Sequence, residues 1–257
     1  MPSNPANVST VAAPPAWRTV DLISDLHLQA DEPATLAGFA AYLRQTSADA
    51  VFLLGDIFEA WIGDDAAQAG SFEARFAGLL RDASHHRALF FLHGNRDFLV
   101  GRNYLSAAGV TLLDDPCVLS WRGRNWLLSH GDALCLGDHD YQAFRTQVRS
   151  HEWQTGFLAR PLEERRAIAR GLRQASEAHK STHAEYADAD PQMVDDWLTR
   201  ADAATLVHGH THRPADHHLP DGRSRMVLSD WDLAARPPRA EVLRLEADGV
   251  ARRIDLA

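Results

Sequence analysis

The stretch TVDLISDLHL, Thr19 to Leu28, begins as a short apolar run and turns polar at Asp25 and His27. The run has the length and composition of a β-strand. Residues two apart on an extended chain project to the same side, so the spacing predicts that Asp25 and His27 point together from a strand end. Five similar runs follow: AVFLLG (50–55), ALFFLH (88–93), NWLLSH (125–130), TLVHGH (205–210) and RMVLSD (225–230). Between the early ones lie PATLAGFAAYLRQT (33–46) and SFEARFAGLLRDAS (71–84), both with apolar residues at helical spacing. The second opens with a Ser cap followed by an acidic residue. Strands alternating with helices predict an α/β protein with a layered sheet. The closing EVLRLEADGVARRIDL (241–256) predicts a hairpin turning on Asp248 and Gly249.

From about 137 to 200 the alternation stops. YQAFRTQVRS, LARPLEERRAIARGLRQASEAHKSTH and PQMVDDWLTRA carry helical patterns and no strand signal, which predicts a helical insertion standing over the sheet. The first sixteen residues, MPSNPANVSTVAAPPA, predict a flexible tail ahead of one domain spanning 17–257. They lack the basic start and long apolar centre of a signal peptide. No apolar run approaches the roughly 20 residues of a membrane span. Cys117 and Cys135 form no Cys-x-x-Cys pair, as suits a reducing compartment. The formal charge of −9 argues against broad, charge-driven nucleic-acid binding. These features predict a cytoplasmic protein, with room for attachment to a membrane surface.

In open α/β sheets, ligands bind beyond the carboxyl ends of the strands. There SDLHL offers Asp25 and His27, GDIFE offers Asp56, HGNRD offers Asn95, SHGD offers His130, and HGHTH offers His210 and His212. Taken singly, Asp25 or Asp56 is as readily a helix cap, Asn95 a turn residue beside Gly94, and His130 an ordinary hydrogen-bonded histidine. Five successive strands each delivering a metal-capable side chain make a metal site the better account. Carboxylate, imidazole and amide oxygen, with no thiolate, favour Mn, Fe, Zn or Co. Alternation puts His208, His210 and His212 on one side, so spacing leaves open which two bind. His208 could instead support a ligand imidazole.

The ordered set Asp25-x-His27, Gly55-Asp56, Gly94-Asn95, His130 and Gly209-His210-x-His212 resembles the calcineurin-like metallophosphoesterase superfamily, over about residues 20 to 230. The resemblance implies a β-sandwich flanked by helices and two metal ions sharing Asp56. Asp25, His27 and His212 would complete one metal site, and Asn95, His130 and His210 the other. A metal pair makes a hydroxide available at neutral pH and clamps phosphoryl oxygens. Many members carry a histidine directly after the asparagine, to protonate an alkoxide leaving group. Arg96 stands there instead. Arginine stabilises phosphoryl charge but cannot act as an acid near neutral pH. The leaving group then needs no proton, as with a phosphate whose last pKa is only about 6.

GDIFEAWIGDD, HGNRDFL, LSHGD, YQAFR and HGHTHRP together resemble the bacterial pyrophosphatases of lipid A biosynthesis. That similarity implies hydrolysis of UDP-2,3-diacylglucosamine to UMP and 2,3-diacylglucosamine 1-phosphate, two Mn2+ ions, and a helical lid. It also implies a peripheral place on the cytoplasmic face of the inner membrane, with no nucleic acid and no obligate protein partner. Asp56, Asn95 and Arg96 would serve catalysis. Asn95, Arg96, Asp138, Tyr141, Arg173, Ser176, Lys180, His183 and His210 would bind substrate. Where many relatives have a lysine late in SEAHKSTH, this chain has His183. Trp153, Phe157, Leu158, Leu162, Ile168 and Leu172 are expected to line an acyl groove if they are not simple helix packing. Arg160, Arg165, Arg166, Arg170, Arg173 and Lys180 would form its basic mouth. The alternatives are another calcineurin-like phosphodiesterase or nucleoside-diphosphate hydrolase, and a metal-free binding scaffold, which would be expected to have lost ligands.

Overall fold

The computed structural model describes residues 8–182 and 188–257, with side chains up to position 174 in the helix that ends the first segment. All six expected runs form strands: β2 (Thr19–Ile23), β3 (Ala50–Leu54), β4 (Ala88–Leu92), β7 (Arg124–Ser129), β8 (Thr205–His208) and β10 (Ser224–Val227). The expected hairpin is β11 (Glu241–Glu246) with β12 (Ala251–Asp255). Both early helices are present, α1 (Pro33–Gln45) and α2 (Phe72–Ser84). Ser71 caps α2, its hydroxyl accepting from Ala74 N at 3.0 Å, a bond worth about 1 kcal/mol.

Three short strands escape the sequence pattern: β5 (Val110–Leu113), β6 (Cys117–Trp121) and β9 (Ala215–His218). A fourth corrects the expected tail. Ser9–Ala12 form β1, pairing in parallel with β6 from Ser9–Cys117 to Ala12–Ser120. STVA has no local signal beyond small and β-branched residues; a partner over a hundred residues away supplies the ladder.

The strands make two six-stranded sheets, ordered β1-β6-β7-β8-β10-β9 and β12-β11-β2-β3-β4-β5. Between them lies one core layer, where Leu22, Phe52, Leu54 and Leu92 of the second sheet meet Leu119, Leu128 and Val207 of the first. Alternate residues of the second sheet, Ile23, Val51, Leu53 and Phe91, face outward onto Phe39 of α1, Phe76 and Leu80 of α2, and Leu105 of α3 (Arg102–Ala107). Strand β3 is buried on both faces, so its sequence is continuously apolar rather than alternating.

Four helices lie between β7 and β8, which are parallel neighbours: α4 (His139–Val148), α5 (His151–Leu158), α6 (Leu162–Thr182) and α7 (Pro191–Arg200). They do not form one lid. Val194, Trp197 and Leu198 of α7 cover Val118, Leu127 and Leu206 on the outer face of the first sheet. That helix is therefore a layer of the sandwich, and α4 to α6 remain as the cover of the strand ends. Among the described residues no helix is long and apolar enough to cross a membrane.

One buried charge network ties the second sheet to α1. Asp21, fully buried in β2, accepts from Tyr42 Oη (2.7 Å), Thr46 Oγ1 (2.8 Å) and Arg244 Nε and Nη2 (2.7 and 2.8 Å). Removing its carboxylate leaves a half-buried guanidinium and a buried phenol without their acceptor. Asp21→Ala is expected to cost about 3–5 kcal/mol of stability. A urea titration should show this as a lowered midpoint with an unchanged slope.

Candidate metal centre

Seven side chains from five strand ends meet at one edge of the sandwich. Asp25 and His27 follow β2, Asp56 follows β3, Asn95 follows β4, His130 follows β7, and His210 and His212 follow β8. Among the described residues, seven non-glycine positions have positive φ, and five of them are Asp25, His27, Asp56, His210 and His212. A left-handed backbone costs an ordinary residue roughly 1–2 kcal/mol. Such strain gathered at one place marks a site whose geometry matters more than local comfort.

The backbones are also pressed together. A Cβ on Gly94 would stand 2.1 Å from Asp56 Oδ1, and one on Gly209 would stand 2.2 Å from Asp25 Oδ2. Only glycine lets these loops approach the carboxylates so closely.

Asp25 is held through one oxygen, and Asp56 is held by Arg96. Asp25 Oδ2 accepts from Ser24 Oγ (2.5 Å) and His210 N (3.0 Å), while its buried Oδ1 has no hydrogen-bond partner. Asp56 Oδ1 accepts from Arg96 N at 2.8 Å, and its Oδ2 lies 3.3 Å from Arg96 Nε. The second nitrogens of the histidines converge on these two carboxylates. His212 Nε2 is 3.2 Å and His27 Nε2 3.9 Å from Asp25 Oδ1, and the two Nε2 atoms are 3.3 Å apart. His130 Nε2 is 3.6 Å from Asp56 Oδ1. Asn95 Oδ1 is 2.9 Å from both His130 Nε2 and His210 Nδ1.

This donor set fits divalent cations. His130 Nδ1 donates to Leu54 O at 3.0 Å, so a neutral ring presents a lone pair at Nε2. That lone pair faces the Asn95 carbonyl oxygen, another acceptor, across 2.9 Å. Two acceptors at that separation require a cation or a proton between them. Burial opposes charge on His130, but Asp56, Asp25, Asp132 and Asp115 overcome it and push its pKa up to about 9. Burial, helped by the neighbouring His130 and His212 for His210 and by Arg96 and His212 for His27, pulls His210 down to about 3 and His27 to about 4, leaving both rings neutral donors. Two groups, Asp25 with His27 and His212, and Asp25 with Asp56 and His130, have ligand atoms within 4.8 Å of one another.

His208 does not join them. It is fully buried, and its Nδ1 contacts Gly209 O at 2.9 Å. The left-handed turns at His210 and His212 direct those two toward the cluster and separate them from a strand residue with which they share a two-residue period.

The cover contributes unevenly. Asp138 caps α4, accepting from Tyr141 N at 3.0 Å. The Tyr141 ring lies 5.8 Å from that of His210, and its hydroxyl donates to Asp132 at 2.6 Å. Arg96 donates to Glu59 at 3.0 Å, and Arg173 pairs with the same carboxylate. Ser176 and Lys180 fall on α6 where side chains are outside the description, and His183 lies outside the described residues. Of the expected basic mouth, Arg165 is buried against Asp65, Arg160 faces Glu164 and Arg166 pairs with Glu163, while Arg170 is exposed and the Lys180 side chain lies outside the description. Of the six apolar residues expected in a groove, Trp153, Phe157, Leu162 and Ile168 pack on the main core, and only Leu158 and Leu172 are exposed.

Sequence reasoning missed the groups behind the cluster. Asp132 is fully buried and accepts from Tyr141 and from Arg145 Nε at 2.7 Å. Asp97 accepts from Gly94 N and Ile57 N at 2.8 Å each. Burial and the nearby Asp56 charge push its pKa up to about 7. Glu59, Asp97 and Asp132 lie within three residues of Asp56, Asn95 and His130 respectively, which was the available signal.

The profile of the calcineurin-like phosphoesterase family matches residues 18–214. A UDP-2,3-diacylglucosamine hydrolase from Chromohalobacter salexigens is 45% identical, covering 91% of this chain and 96% of its own. Enzymes of the same name are 43% identical in Ralstonia nicotianae, over 90% of each chain, and 41% identical in Stenotrophomonas maltophilia, over 90% of this chain and 96% of that one.

Asp56→Ala is expected to lose most of the divalent metal that the purified protein binds, because its carboxylate gathers with Asp25 and His130 in one of the two ligand groups. His208→Ala should keep the metal, whatever it costs in stability. Elemental analysis after dialysis against Mn2+ would separate the two variants.

Proposed function

We propose, on the premise that this chain belongs to the calcineurin-like phosphoesterase family, that it hydrolyses the diphosphate of UDP-2,3-diacylglucosamine to UMP and 2,3-diacylglucosamine 1-phosphate in lipid A biosynthesis. The observation that carries this is Arg96, a permanent cation at the rim of the cluster, 3.3 Å from Asp56 Oδ2. The shared name of these relatives, which match along nearly the whole chain, supports the choice of substrate.

Asp25, His27 and His212 would hold one cation, Asn95, His130 and His210 the other, with Asp56 shared. Mn2+ suits the oxygen and imidazole donors. Bound there, a cation pair supplies Lewis acidity that brings a water's pKa toward neutrality and offsets phosphoryl charge. The chain's own residues do the rest. Arg96 presents a planar fork of donors to the diphosphate oxygens and strengthens its hold as charge grows in the transition state. Water attacks the phosphorus on the UMP side. The new P–O bond forms as the bridging P–O bond breaks, and the electron pair leaves with the sugar 1-phosphate. That phosphate's last pKa is about 6, so no side chain need protonate it. This agrees with an arginine, which has no proton to give, after Asn95. Asn95 and His210 would meet the phosphoryl group. Asp138, Tyr141, Arg173, Ser176, Lys180 and His183 would bind the sugar and its phosphate from the cover. The exposed Leu158 and Leu172 suit a cover that meets acyl chains at the cytoplasmic face of the inner membrane.

With Mn2+, the purified protein is expected to release UMP and the diacyl sugar phosphate in equal amounts. Chelation should abolish the reaction and Mn2+ restore it. Arg96→Ala should lower kcat roughly 10²- to 10³-fold with metal content unchanged. Turnover of simple nucleotide diesters alone would point instead to another phosphodiesterase of the family.

A further inference from the structure

We propose that Glu59 is a positioning residue that couples the helical cover to the metal centre. This rests on the cluster's being a metal centre, and it concerns a residue outside the ligand set.

Glu59 sits just beyond β3, its backbone N–H donating to Leu28 O at 3.1 Å, so it is stitched to the chain directly after His27. Its side chain is only 13% exposed. Three partners from three segments share the carboxylate. Oε1 accepts from Arg96 Nη1 at 3.0 Å and pairs with Arg173 of α6. Oε2 lies 3.3 Å from His27 Nδ1.

The His27 ring is therefore placed between two tasks. Its Nε2 faces His212 and Asp25, while its Nδ1 is buried with no hydrogen-bond partner and faces Glu59. A carboxylate behind an imidazole keeps the proton on the near nitrogen and frees the far lone pair for a cation. A cation on Nε2 in turn polarises Nδ1–H and strengthens its hold on Glu59. Glu59 so held is the anchor for Arg173. Arg165, eight residues earlier on α6, is the second anchor: it donates to Ile62 O and pairs with Asp65. Helix α6 is thus pinned to the 59–65 loop at two points, and the one that touches the cluster, through His27, is Glu59. By linkage, whatever docks α6 through Glu59 favours the cation, and the cation favours the docked helix.

The test is amide exchange on the full-length protein, with and without Mn2+, beside a Mn2+ titration. In the wild type, Mn2+ should slow exchange in α6 around Arg173. Glu59→Gln keeps the size and removes the charge; it should weaken Mn2+ binding about tenfold and abolish that slowing. Arg173→Ala, which leaves Glu59 in place, should abolish the slowing too. The inference is overturned if α6 ignores Mn2+ in the wild type, or if either variant keeps the slowing. It is overturned equally if Glu59→Gln binds Mn2+ as tightly as the wild type. Neither readout uses a sugar nucleotide, so a wrong substrate leaves the result intact. A wild type that binds no Mn2+ would sink the metal centre and this inference together.

Discussion

Two hydrogen bonds from backbone to carboxylate hold the working end of this molecule together. The N–H of His210, from the first sheet, donates to Asp25 of the second, and the N–H of Arg96 donates to Asp56. Each fixes one carboxylate oxygen, and at Asp25 the other oxygen is left facing the histidines. The first bond also crosses the gap between the sheets where the strands end and side-chain packing thins out. The left-handed residues and the glycines follow from this requirement. The loops must turn sharply enough to bring an N–H to a carboxylate and the imidazoles to the same cluster. A sandwich with relaxed loops would keep its core and scatter these side chains.

The core makes this arrangement affordable. Both faces of the second sheet are packed, and its central strand is buried throughout. Buried polar groups at the site are therefore anchored on a frame that cannot relax around them. Asp97 shows how the frame reaches the site. It is fully buried, receives the N–H groups of Gly94 and Ile57, and so ties the loop bearing Asn95 to the loop bearing Asp56. Asp132 does the same for the cover, gathering Tyr141 and Arg145 of α4 beside His210.

Charge on the cover is arranged for docking more than for display. Arginines 160, 165, 166 and 173 look in sequence like a basic surface. In the fold each faces a carboxylate, and two of those carboxylates, Glu59 and Asp65, belong to the loop after β3. Exposed pairs such as Arg166 with Glu163 add little. The buried guanidinium of Arg165, with its backbone and carboxylate acceptors, orients α6.

The sequence by itself determined the strands that carry the candidate ligands, because each joins a long apolar run to an abrupt polar turn. It also determined the residue types gathered at the cluster, and the family. Asp25, His27, Asp56, Asn95, His130, His210 and His212 were legible as a set, since their order along the chain repeats once per strand end. Period-two spacing could not separate His208 from its neighbours, because alternation describes an extended chain and His210 and His212 have left-handed backbones. Strand β1 was hidden because its stability comes from a ladder with β6, not from its own four residues. Helix α7 looked like part of a lid because its apolar stripe names no partner; only the packed fold shows that stripe against Val118, Leu127 and Leu206. Local pattern decides which element forms and which chemistry it can offer. Which way a side chain turns at a strained position, and which charge meets which, are set by contacts between distant segments and belong to the tertiary structure alone.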